Sequence, residues 1–283
     1  MPGTKARISI SRLIMQYLRW LPHQLGLLNH GAFMLQLKEI KADDTFVVSY
    51  PKSGNTWLRF VLAYMIDGSK NKLSFQEVDK IVPDVYVSKD WIDKMESPRF
   101  IKTHDVLLSH FPKTIYIVRD YRDVLISFYY YKIALKEFEG DFSKFIRSNE
   151  ITEPFGSWKE HVSKALFSSK ENSNRILFLH YENMKNNFEQ TLHLLSEFTG
   201  LKNFELTRIK ELTNFENLQQ TESESGSEFM NRSGKKFFRE GKTGSWKEFI
   251  SADDLKFIYS DSELVSLLNQ LNYKIEETRE KNS

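Results

Sequence analysis

Residues 45–66, TFVVSYPKSGNTWLRFVLAYMI, join three unlike pieces with no spacer between them. A short β-rich apolar run, Thr45–Tyr50, meets Pro51 and Gly54, and large apolar residues at helical spacing begin at once. An unbroken apolar run of this length marks a strand buried on both faces. A strand handed to a helix through a glycine turn implies a parallel sheet covered by helices. Arg99–Thr103, Thr114–Arg119 and Arg175–His180 repeat the strand pattern. Helices are predicted over 55–66, 122–134, 142–167, 204–218 and 188–199, the last stopped by Gly200, with an amphipathic helix closing the chain over 253–273. Residues 219–245 break the alternation: rich in Ser, Gly, Glu and Lys, they are predicted to be irregular, either disordered or functional, with 219–243 mobile until a ligand orders them.

Ahead of the main domain, 44–283, lies a basic segment, 1–43. Its residues 8–21, ISISRLIMQYLRWL, set Ile10, Leu13, Ile14, Tyr17, Leu18 and Leu21 at helical spacing, with Arg12 and Arg19 between them. Such an amphipathic basic helix packs on its own domain or lies on an anionic membrane surface. The arginines argue against a secretory leader, and no apolar run reaches the ~18 residues of a membrane span. The chain has no cysteine, which excludes a thiol nucleophile, a disulfide scaffold and Cys-ligated metal. Forty basic against 38 acidic side chains are too balanced for a nucleic-acid coat. A cytoplasmic protein is expected, peripheral at a membrane if residues 8–21 dock there.

The chemistry concentrates in Tyr50-Pro51-Lys52-Ser53-Gly54-Asn55-Thr56-Trp57. Backbone N–H groups at a helix start lack intrahelical partners and sit at the positive end of the helix dipole, so they suit phosphate. Lys52 adds a full charge; Ser53, Asn55 and Thr56 add polar side chains. The order of Lys and Gly is not that of a Walker A loop. This string resembles the 5′-phosphosulfate loop of sulfotransferases that use 3′-phosphoadenosine 5′-phosphosulfate (PAPS), particularly the cytosolic type, in which it reads YPKSGTTW. Further segments resemble the family's other motifs in order: Phe100–His104, Arg119–Tyr129, Tyr181–Lys185, Thr213–Phe215 and Arg239–Lys247. Glu240 and Ser245 depart from the family, which has Lys and Asp there, and Asp105 follows His104 where Leu-Pro is usual.

The resemblance implies a single P-loop-like three-layer α/β domain with a central, mostly parallel sheet flanked by helices. It also implies transfer of a sulfuryl group from PAPS to a hydroxyl acceptor by in-line displacement, releasing adenosine 3′,5′-bisphosphate (PAP), with no metal required. Carried over residue by residue, Lys52 meets the bridging oxygen of the leaving group, Lys102 the sulfuryl oxygens, and His104 is the general base. Donor binding falls to Lys52, Ser53, Gly54, Asn55, Thr56 and Trp57 at the 5′ end and Arg119, Ser127, Arg239 and Gly241 at the 3′-phosphate. Trp57, Tyr181, Thr213 and Phe215 fall beside the adenine. A guanidinium offers phosphate a fixed fork of donors, and aromatic faces stack on a base. The alternative for Arg119 is an ion pair with Asp120 or Asp123. The remaining histidines are read as structural.

Two other functions fit parts of the pattern: a P-loop-like ATP-dependent kinase, against which the missing Walker A loop speaks, and a non-catalytic nucleotide-binding relative, against which the retained Lys52, Lys102 and His104 speak. The acceptor is a hydroxyl-bearing small molecule, a glycolipid or a glycan. Segments 66–98, 128–155 and 219–235 are predicted to wall its pocket, with Tyr86, Trp91, Tyr129, Tyr131 and Phe138 as apolar candidates.

Overall fold

Side chains on a strand alternate between its two faces, and in the computed structural model that alternation divides the core in two. Phe46, Val48, Tyr116 and Val118 enter one hydrophobic cluster, while Val47, Ile115 and Ile117 enter the other. The structure describes residues 37–68, 71–148, 155–238 and 241–276. The predicted N-terminal helix over 8–21, with its membrane contact, lies outside them, as do Arg239 and Glu240.

Four parallel strands form the sheet: β1 (Thr45–Ser49), β2 (Phe100–Thr103), β3 (Lys113–Val118) and β4 (Ile176–His180), in the order β2-β1-β3-β4. Thr45 sits opposite Phe100 on one side and Lys113 on the other. One face is covered by α1 (Asn55–Asp67), α2 (Phe75–Ile81), α7 (Tyr181–Asn186), α8 (Phe188–Thr199), α9 (Leu206–Leu212) and α10 (Phe215–Ser225). The other carries α4 (Tyr121–Ala134), α5 (Phe142–Ile146), α6 (Trp158–Glu171), α12 (Trp246–Phe249), α13 (Ala252–Tyr259) and α14 (Ser262–Gln270). The short helices α3 (Lys89–Ile92) and α11 (Glu228–Ser233) flank these layers. This is the expected three-layer α/β fold. The direction of winding reverses between β1 and β3, and open α/β sheets bind ligands in the crevice beyond the carboxyl ends of such strands.

Three predicted helices are each two. Over 142–167, α5 ends at Ile146 and α6 starts at Trp158, because Gly156 takes a left-handed φ of 73° and Ser157 caps α6 by accepting from the Glu160 N–H. Over 204–218 the break falls at Asn214, which caps α10 by accepting from Asn217. In the closing stretch Asp261 caps α14 by accepting from Leu264. Residues 219–245 are also more regular than predicted: α10 continues to Ser225 and α11 follows. Among the described residues no helix is long and apolar enough to cross a membrane.

Candidate active site

At the crevice between β1 and β3 opens a cleft of about 1310 Å³, lined by Lys52, Lys102, His104, Arg119 and most of the other predicted site residues. Its floor is the turn after β1. Gly54 precedes α1 with φ 99°, and a Cβ there would lie 2.4 Å from the ring of Tyr181. Any other residue would be strained and would collide, so the turn and the Tyr181 ring require glycine. No side chain caps α1, which leaves its first N–H groups facing the turn.

Polar atoms around this turn want partners. Ser53 Oγ and Arg119 Nε are buried without a hydrogen bond among the described residues. Both can donate, so they offer an entering acceptor, such as an anion, hydrogen bonds that the protein leaves unmade. Asn55 turns inward: its Nδ2 donates to the Val47 carbonyl and to Ser49 Oγ, both at 3.2 Å, stapling the turn to β1. Arg119 follows β3 and donates to the Lys52 carbonyl at 3.3 Å and the Lys242 carbonyl at 3.0 Å, with its guanidinium over the Tyr181 ring. Of the alternative ion pairs, the one with Asp123 is present at the outer limit of contact, while Asp120 turns to another arginine. Asp120 pairs with Arg122 at 2.6 Å. Asp123 accepts from the N–H groups of Gly244 and Trp246 and stays 3.9 Å from Arg119.

Trp57, Tyr181 and Phe215 line the cleft together. Trp57 Nε1 donates to the Thr213 carbonyl at 2.9 Å, and its ring meets Tyr181 edge-on. Thr213 turns its hydroxyl to the Ile209 carbonyl, while its own carbonyl orients Trp57. Gly241 (φ 59°) packs so closely on Phe215 that a Cβ would sit 2.5 Å from the ring, and its carbonyl accepts from Lys185 Nζ. Thr56, Ser127 and Ser245 also line the cleft.

Lys52, Lys102 and His104 bring three cationic or basic groups to the cleft wall. Lys52 has φ 69°, and its ammonium lies 4.2 Å from the ring centre of Tyr131 and 4.1 Å from that of Phe237, with Phe229 at 5.9 Å. Burial and the nearby Arg119 lower its pKa to about 7, against an opposing pull from Glu222. Lys102 Nζ pairs with Asp84 Oδ2 at 2.8 Å. His104 Nδ1 is 2.7 Å from the Ser49 carbonyl. A carbonyl only accepts, so Nδ1 carries the proton and Nε2 the lone pair. Burial first, and Lys102 second, hold the His104 pKa well below the usual histidine range, so the ring is neutral at neutral pH.

Two functional residues escaped the sequence. His161, read as structural, donates through Nε2 to the His104 carbonyl at 2.8 Å, and Tyr116 Oη meets its Nδ1 at 2.8 Å; this relay fixes the backbone of His104. Glu222, within the stretch expected to be irregular, is fully buried. It accepts from Ser227 Oγ and from the N–H groups of Phe237 and Phe238. That clamp brings Phe229 and Phe237 over Lys52. No spacing pattern signals either residue: His161 meets groups far along the chain, and Glu222 binds main-chain N–H groups besides Ser227 Oγ. Hydrogen bonds to a charged group contribute about 1.5–3 kcal/mol. Glu222→Ala should therefore speed amide exchange at Phe237 and Phe238 by ~10-fold or more, read by mass spectrometry; unchanged rates would show the clamp to be idle.

The acceptor candidates divide. Tyr86 and Tyr131 line the cleft. Trp91 is exposed and donates to the Lys80 carbonyl, and Tyr129 packs among Phe138, Phe142 and Phe145 instead.

A model of the sulfotransferase domain matches residues 42–266. Human sulfotransferase 1E1 is 32% identical over 238 residues, covering 75% of this chain and 80% of its own. Among solved structures, mouse sulfotransferase SULT7A1 complexed with PAP has a TM-score of 0.63 at 22% identity, covering 83% of this chain and 90% of its own. Retinol dehydratase in complex with androsterone and the inactive cofactor PAP has a TM-score of 0.59 at 19% identity, with coverages of 93% and 88%. The match over most of the chain, on a cleft whose buried donors suit an anion, establishes that this protein belongs to the sulfotransferase family, enzymes that take their sulfuryl group from PAPS.

Proposed function

We propose that the enzyme sulfates a small hydroxyl acceptor with an apolar or aromatic body, using His104 as general base. The observation that carries this reading is the Nδ1 contact of His104 with the Ser49 carbonyl, which leaves Nε2 as the basic nitrogen of a cleft-lining ring. The donor supplies an activated sulfuryl group with a phosphate oxygen as leaving atom. His104 Nε2 takes the hydroxyl proton as the acceptor oxygen bonds to sulfur and the sulfur–oxygen bond to the phosphate breaks. Lys52 is assigned to the departing oxygen and Lys102 to the equatorial sulfuryl oxygens, where fixed charge stabilises what develops in transfer. Ser53, Gly54, Asn55, Thr56 and Trp57 form the cradle for the 5′ end. Asn55 acts there through the shape of the turn, because its amide is bonded to β1. Arg119, Ser127, Arg239 and Gly241 are assigned to the 3′-phosphate, and Trp57, Tyr181, Thr213 and Phe215 to the adenine. The apolar acceptor body is supported by Tyr86, Phe128, Tyr131, Phe155 and Phe229 along the cleft. We take 44–283 as the catalytic domain and the cytoplasm as its compartment.

Calorimetry with PAP and with AMP tests the donor half. A 3′-phosphate held by guanidinium groups should make PAP bind ~10–100-fold tighter; equal affinities would remove the site. Labelled PAPS offered with a panel of phenols, alcohols and sugars tests the acceptor half, and transfer to sugars alone would overturn the apolar reading.

A further inference from the structure

Lys102 on β2 and His104 just past its end both lean on a single neighbouring segment, Pro83–Tyr86. It extends the sheet beside β2 through a parallel bridge between Asp84 and Lys102. The Lys102 N–H donates to the Pro83 carbonyl at 2.8 Å and the Val85 N–H donates to the Lys102 carbonyl at 3.0 Å. From this rail, Tyr86 Oη accepts from the His104 N–H at 2.8 Å. Asp84 is fixed at both carboxylate oxygens: Oδ1 accepts from the Tyr86 N–H at 3.0 Å and Oδ2 from Lys102 Nζ at 2.8 Å. Asp84, Tyr86, Lys102 and His104 all line the cleft.

We propose that Asp84 is a positioning residue for sulfuryl transfer, whose carboxylate holds Lys102 as an ammonium on the cleft wall beside His104 until the sulfuryl oxygens take its place. This rests on the assignment of Lys102 to those oxygens. Burial works against charge on Lys102 and lowers its pKa; Asp84 offsets that most, with Asp105 helping and Arg59 opposing. The Tyr86 ring lies 4.9 Å from Nζ, and His104 follows two residues on. Without the Asp84 charge, burial and Arg59 face only Asp105, and the lysine loses its proton at lower pH.

The test uses the full chain. Acetylation of Lys102 by acetic anhydride, followed by peptide mass spectrometry across neutral and alkaline pH, reports its protonation with no acceptor needed. Asp84→Asn should move the labelling midpoint to lower pH, and Asp84→Glu should return it. Affinities for PAPS and PAP are then compared by calorimetry above the variant's midpoint. Asp84→Asn should lower the PAPS-to-PAP affinity ratio by ~10-fold or more while PAP alone changes less than about twofold. An unmoved midpoint, or a Glu variant displaced as far as Asn, overturns the role of the carboxylate. A moved midpoint with an unchanged ratio overturns instead the assignment of Lys102 to the sulfuryl group, and the positioning role with it.

Discussion

His104→Ala should abolish measurable transfer while leaving PAP affinity within about twofold of wild type. The ring bonds the Ser49 carbonyl at the end of β1, ahead of the turn at residues 50–54, so the nucleotide cradle should survive its loss. What disappears is the proton acceptor, and general-base help typically contributes ~10²–10⁴-fold. The tautomer sharpens the expectation. With Nδ1 donating to Ser49, the ring cannot rotate to present the other nitrogen without breaking that contact. His104→Gln keeps a polar side chain yet has no comparable base, so it should be as inactive as alanine. The pH dependence has a definite sign. Burial and Lys102 depress the His104 pKa, so the base stays unprotonated through neutral pH and is lost only as pH falls through the lowered value. The acid limb of kcat/KM should therefore lie below the ~6.5 of an ordinary histidine. Steady-state rates across pH test this: a variant with normal kcat ends the assignment, and an acid limb at or above that value contradicts the neutral ring.

Lys52→Met should lower kcat by ~10²–10³, the cost of removing one preorganised charge from a transition state. Methionine keeps an unbranched apolar stem against Tyr131 and Phe237. Because Lys52 has a left-handed φ, any non-glycine residue there bears the same backbone strain, and the comparison isolates the ammonium. A pKa lowered to about 7 adds a second signature. A depressed lysine loses its proton as pH rises through that value, so wild-type kcat/KM, which reports the donor-free enzyme, should decline above about pH 7. In the donor complex the phosphosulfate favours the ammonium, so kcat should hold to higher pH. Lys52→Met has no such group and should lose that alkaline step. A variant retaining both rate and step would remove Lys52 from the chemistry.

The turn after β1 and the cleft it floors were readable because their signals are local. A strand, one glycine and a helix start are written in consecutive residues, and Arg119 is placed by the strand that precedes it. Boundaries that were missed also had local marks, in Ser157, Asn214 and Asp261, which cap helices taken as continuous. The unreadable part has a different physical origin. Asp84 meets Lys102 through strand pairing, and His161 reaches His104 across the sheet face. Glu222 binds main-chain N–H groups fifteen and sixteen residues away. Contacts of that kind depend on where the fold brings backbone, and no residue type announces them. Composition likewise misleads over 219–233: Ser, Glu and Gly read as a loose linker, whereas the caps at Ser227 and Gly226 shape two helices.

The clamp at Glu222 grips the wall of the cleft by its amide groups and by one serine, so it is indifferent to most of the side chains that the wall displays. Positions 228–236 are thereby tethered at both ends yet open to sequence change. On the proposed assignment, a cassette grafted between Ser227 and Phe237 should inherit the tether while replacing Phe229, the ring stacked on Tyr131 near Lys52, so that the cleft wall changes and the clamp does not.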